Sequence, residues 1–127
     1  MAKVLGIGGL FFKSPDPRRL VVWYQKWLGF PGDSPDYVAF SPETMPDGAS
    51  SVFSPFKSTT DHFAPSSKDF MFNLVVDDLE GALQQVEAGG GSIVDEMQSF
   101  AYGRFGWFLD PDGNKVELWQ PAANVEP

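Results

Sequence analysis

Tyr102–Pro121, YGRFGWFLDPDGNKVELWQP, reads as two strands joined by a tight turn, with a carboxylate set in the second strand. In Asp110-Pro111-Asp112-Gly113 the proline pre-sets φ at the second turn position, and the glycine supplies the backbone angles that close it. Arg104–Leu109 and Lys115–Gln120 flank the turn, both rich in aromatic and β-branched residues at roughly alternating positions. Period-2 alternation places Lys115, Glu117 and Trp119 on one face and Val116 and Leu118 on the other. If the aliphatic pair meets a helix layer, Glu117 faces whatever the other side of the sheet encloses.

Upstream of this hairpin, Ser92–Ala101 reads as a strand with a polar middle, preceded by the helix stop Gly89-Gly90-Gly91. That helix carries Leu79, Ala82, Leu83 and Val86 on one side and is capped by Asp77-Asp78. Asp69–Val76 is a strand with Phe70, Phe72, Leu74 and Val76 on one face and Met71, Asn73 and Val75 on the other. The N-terminal half repeats this grammar. Val4–Phe12 is expected to be a buried strand, Asp16 an N-cap, and Pro17 the first helical residue. Leu20, Trp23, Tyr24, Trp27 and Leu28 make a one-sided helix face ended by Gly29, and Tyr37–Phe40 and Ser51–Phe56 are the following strands. Ser41–Gly48, with two prolines and a glycine, is a loop. Asp16 and Asp78 lie about half a chain length apart, so a βαβββ unit is used twice. The expected organisation is one domain over 1–127: module one about 3–56, a polar linker about 57–68 that suits a lid, module two about 69–121. Pro121–Pro127 is expected to be a frayed tail.

A chain of 127 residues, 43% of them hydrophobic and 20% charged, supports one ordinary globular core. The net charge of −8 and the lack of any basic run exclude nucleic acid and anionic membrane surfaces as partners. No stretch approaches the roughly 18 apolar residues of a membrane span. Lys13 interrupts Val4–Phe12 and no small-residue cleavage pattern follows, so this is a first strand rather than a signal core, and a cytoplasmic location is the default. Absence of cysteine rules out disulfides, zinc–thiolate sites and thiol nucleophiles. The single histidine, His62, lies beside Asp61 in the linker. With no nucleophile elbow in the chain, it leaves few routes to a Ser-His-Asp triad. Gly6-x-Gly8-Gly9 sits inside a strand and lacks the Lys-Ser/Thr of a phosphate loop.

Three stretches, Gly8–Phe30, Phe72–Leu83 and Phe108–Pro121, together resemble the vicinal oxygen chelate superfamily, the glyoxalase/bleomycin-resistance/dioxygenase group. The resemblance covers nearly the whole chain, with Ser41–Lys68 the least matched part. It implies an α+β fold in which paired βαβββ modules form an incompletely closed eight-stranded barrel around a cavity, and it implies a homodimer. In metal-using members the ligands are His or Gln, Glu or His, His, and a final Glu on the inward faces of four strands. The final one maps onto Glu117. The first maps onto Gly9, or Gly8 in the other register, and the second-half position onto Met71, or Phe70. Ser51–Phe56 holds no Asp, Glu or His. Three of the four positions therefore carry residues that do not bind a divalent metal, so no metal cofactor is expected.

The sequence thus favours a metal-free protein that binds a small apolar or aromatic molecule. Gly9, Phe11, Met71, Asn73, Trp107, Glu117 and Trp119 are the candidate lining, and Asn73 and Glu117 are its polar members. The alternatives are a metal-dependent lyase, isomerase or dioxygenase with relocated ligands, or a metal-free enzyme using Glu117 as acid or base, since a carboxylate on an apolar wall suits proton transfer. An Asp61-His62 pair meeting Glu117 is the arrangement that would serve either alternative, against a reading of this segment as a solvated loop. Lys13 either neutralises an acidic ligand at the cavity mouth or ends its strand in solvent.

Overall fold

A computed structural model describes residues 1–122 and orders the chain as follows. Helix α1 spans Pro17–Leu28, β1 Phe72–Val75, α2 Leu79–Ala88, β2 Ser92–Phe100, β3 Gly103–Leu109 and β4 Lys115–Pro121. The caps form as their chemistry dictates. Asp16 accepts from the Arg19 N–H at 3.2 Å and Asp78 from the Gly81 N–H at 3.1 Å, each satisfying a donor that the first helical turn leaves free. Gly29 closes α1 at φ 67, a left-handed conformation that a side chain would oppose.

The four strands make one open sheet in the order β1-β4-β3-β2. β1 pairs with β4 in parallel, while β4–β3 and β3–β2 are antiparallel. α2 is the crossover that a parallel β1–β4 pairing requires, so Phe72–Pro121 is one complete βαβββ unit. Both helices lie on one face. Leu20 and Tyr24 from α1 and Leu79, Ala82 and Val86 from α2 close over Phe72, Phe108, Val116 and Leu118 of the sheet. α1 is also pinned to the second half by polar contacts. The Trp23 indole donates to the Gly89 carbonyl at 2.8 Å, Gln85 Nε2 to the Trp27 carbonyl at 2.7 Å, and the Tyr24 hydroxyl to Asp110 Oδ2 at 2.8 Å.

The turn between β3 and β4 is organised by Asp110. Its Oδ1 accepts from the N–H groups of Asp112 and Asn114 at 2.9 and 3.0 Å, and its Oδ2 accepts from Asn114 Nδ2 at 2.8 Å as well as from Tyr24. Gly113, at φ 79, supplies the left-handed residue that closes the loop.

The α+β class and the glyoxalase-like architecture hold, with the sheet left open at four strands among the described residues. Val4–Phe12, Tyr37–Phe40 and Ser51–Phe56, expected as strands, are not strands here, and Val4–Phe12 is exposed rather than buried. The physical reason is that a strand is held by its neighbour's ladder rather than by its own pattern. Gly6, Gly8 and Gly9 weaken the first run, Pro55 removes a donor from the last, and neither outer strand of the sheet receives a partner from the N-terminal half. Phe12 reaches β1 through its ring alone, 4.7 Å from that of Phe72. Pro121 belongs to β4, and the Ala122 N–H donates to the Tyr102 carbonyl at 3.3 Å; 123–127 lie outside the described residues. No helix among the described residues is long and apolar enough to cross a membrane.

Candidate functional site

Alternation along β4 turns Val116 and Leu118 into the helix-covered core and leaves Lys115, Glu117 and Trp119 on the opposite face. Register then decides what stands beside Glu117. Asn73 of β1 is its partner on one side and Trp107 of β3 its partner on the other, so three strands contribute one transverse row. Within that row the Asn73 amide donates to Glu117 Oε1 at 2.7 Å, and the Trp107 indole N–H donates to Glu117 Oε2 at 2.9 Å. Trp107 is buried and Glu117 half-buried, so the carboxylate is held by fixed N–H donors in place of part of its water.

The row is flanked by aromatic surface. Phe105 stacks on Trp119 with ring centroids 6.1 Å apart and planes 2° from parallel, and lies 6.5 Å from Trp107. The Trp119 indole donates to the Tyr102 carbonyl at 3.1 Å.

His62 comes to this face from the linker. Its Nε2 is 3.7 Å from Glu117 Oε2, its ring is parallel to Phe56 at 5.6 Å, and it meets the Trp107 ring edge-on at 6.2 Å. Beside it a recess of about 360 Å³ is bounded by His62, Asp95, Trp107 and Lys115. Asn73, Trp107 and Glu117 thus stand together, with Trp119 on the same face. Met71 is half-buried and lies just before β1, on the alternation face of Asn73. Gly9 and Phe11 lie apart. Phe11 is 94% exposed and lines a separate groove of about 510 Å³ with Lys13, Lys68 and Phe70.

Among the described residues no three His, Asp or Glu side chains are gathered as a metal site would need. Each oxygen of Glu117 accepts one N–H donor.

Two residues of this face, Lys115 and Asp95, were not among the candidate site residues read from the sequence. Lys115 is fully buried, and its Nζ donates to Asp95 Oδ2 at 2.8 Å and to the His62 carbonyl at 2.7 Å. The alternation that singled out Glu117 also singles out Lys115, and an aspartate in mid-strand is itself a sign of a bulge.

A family model described as a glyoxalase-like domain matches residues 9–119. Among solved structures, an integron cassette protein from the mobile metagenome of V. cholerae is 20% identical, with 96% of this chain and 99% of that one covered and a TM-score of 0.58. A glyoxalase-related enzyme from Fulvimarina pelagi is 16% identical, covering 96% of this chain and 91% of that one at a TM-score of 0.50. The match to a hypothetical protein from S. aureus, 23% identical with a TM-score of 0.37, covers 42% of this chain and less than half (43%) of that protein. No curated protein matches the chain. At these identities the likeness speaks for the fold alone.

Proposed function

The chain belongs to the glyoxalase-like domain family, and on that premise we propose that it binds a small, largely apolar or aromatic molecule on the Glu117 face, without a metal ion. The observation that carries this reading is the Asn73–Glu117–Trp107 row, in which a carboxylate is fixed by two N–H donors beside a buried indole. Such a carboxylate keeps lone pairs for a ligand donor, while Trp107, Trp119 and Phe105 supply flat apolar surface. That no three His, Asp or Glu side chains are gathered among the described residues supports the metal-free form of the proposal.

Indole N–H resonances give a site-resolved test, because Trp23 donates to Gly89 on the far side of the sheet and serves as an internal control. Titration with phenol, indole and benzamide is expected to shift the Trp107 and Trp119 indole signals and the Asn73 side-chain amide while leaving Trp23 unmoved. Uniform shifts, or none with any of the three, would count against the site.

A second reading, acid–base catalysis, is favoured by one observation: His62 Nε2 lies 3.7 Å from Glu117 Oε2, within reach of a proton passed between them directly or through one water. Deuterium exchange into the methyl group of acetophenone, catalysed by the protein and lost in Glu117→Gln, would move the assignment from binder to catalyst. A homodimer belongs to the same proposal, since Val4, Leu5, Phe11, Val52 and Phe53 are exposed and a second copy would cover them. Sedimentation velocity showing only monomer at micromolar concentration would end that part.

A further inference from the structure

Lys115 is 2% exposed, an uncommon place for an ammonium. A buried cation persists only where acceptors replace its water, and Lys115 has two. Nζ donates to Asp95 Oδ2 at 2.8 Å and to the backbone carbonyl of His62 at 2.7 Å, and it stands 5.9 Å from the centre of the Trp107 ring. Three separate pieces of chain, β4, β2 and the linker, therefore meet at one charge.

Each partner is arranged for this contact. Asp95 is the one non-glycine residue with positive φ among the described residues, at 62°, and it falls where the β2–β3 register shifts between Val94 and Gln98. A left-handed aspartate carries a steric cost, and the bulge it sits in turns its carboxylate onto Lys115. The linker acceptor is the carbonyl of the very residue whose imidazole lies against Glu117. With that carbonyl fixed, the ring has only its own rotamers left, and Phe56 and Trp107 flank the one it takes.

We propose that Lys115 is the positioning residue of this face: through Asp95 and the His62 carbonyl it latches the linker to the sheet and sets the imidazole beside Glu117. The proposal rests on reading the Glu117 face as the working surface and adds to it the contact that holds His62 there.

As the single histidine, His62 gives ring-proton signals that need no assignment strategy. In the unmodified protein these signals are expected to be displaced by the ring currents of Phe56 and Trp107, with a nuclear Overhauser effect between His62 and the Trp107 indole. Lys115→Met is expected to abolish that effect and return the His62 signals to free-histidine positions, with the Trp23 indole signal in place as proof of fold. Lys115→Arg, which keeps a cation with several donors, is expected to restore it in part. Should Lys115→Met fail to fold, Asp95→Gly decides: glycine accepts the backbone angle, the side chain removed is half-exposed, and partial loss of the effect is expected. Persistence of the His62–Trp107 effect in a folded Lys115→Met protein, or undiminished in Asp95→Gly, would overturn the proposal. Loss of phenol, indole and benzamide binding in the unmodified protein with the effect intact would instead overturn the ligand-site reading alone.

Discussion

Residues 69–121 hold every ladder of the described sheet, whereas residues 1–56 contribute one long helix and no strand. Both regions carry an aspartate-capped helix stopped by glycine, and both helices dock on the same sheet face. What separates them is partnership. In the C-terminal region β1 finds β4 across the α2 crossover, and the hairpin supplies the rest. In the N-terminal region the corresponding runs have no ladder to join. Helices close their hydrogen bonds within themselves, so α1 forms and docks regardless; strands cannot.

The sharpest way to break this comparison is to empty the core that one region owns. Phe108→Ala, at a fully buried position, should cost about 3–5 kcal/mol in denaturant unfolding. A smaller loss would mean that the four-stranded sheet does not carry the stability assigned to it. Next comes the joint between the regions. Asp110→Ala removes the acceptor for Tyr24, Asn114 and two backbone N–H groups, and a loss of about 2–3 kcal/mol is expected.

The same joint has a pH signature. Burial first, then the charge and hydrogen bond of Asp110, push the Tyr24 phenol far above its ordinary value of 10.0. The folded state therefore keeps a proton that the unfolded state releases. That stabilisation is complete below pH 10 and falls as pH rises beyond it, by about 1.4 kcal/mol per pH unit for one proton. Subtracting the alkaline stability profile of Tyr24→Phe should isolate this slope, and identical profiles would refute it.

Smaller effects sharpen what the regions share. Asp16→Ala and Asp78→Ala should each cost about 1 kcal/mol, because the two caps are the same local device. A cost at Asp78 alone would show α1 to be a passenger. The least effect is expected at Phe53, 83% exposed, where alanine should change monomer stability by no more than about 0.5 kcal/mol.

How much of this was legible varies by residue. Asp16, Gly29 and Asp78 were readable because capping involves neighbours three or four positions away. The division of β4 into a Val116–Leu118 face and a Glu117 face was readable because it needs only a period of two. The Asn73–Glu117–Trp107 row was visible as three separate candidates. Its hydrogen bonds depend on register between strands far apart in the chain. His62 was singled out as the lone histidine, yet its approach to Glu117 depends on a carbonyl contact with Lys115 that no spacing encodes.

By itself, then, the sequence determined the two helices and their ends, the turn at Asp110–Gly113, and the facing of each residue in β4. All of these follow from interactions within a few residues or from an alternation along one strand. Only the tertiary structure decided which apolar runs become strands, that α1 and α2 share one face, and that a buried lysine, a left-handed aspartate and a linker histidine meet beside Glu117. Those outcomes depend on contacts between distant residues, whose energy exists only once the chain has closed the loops between them.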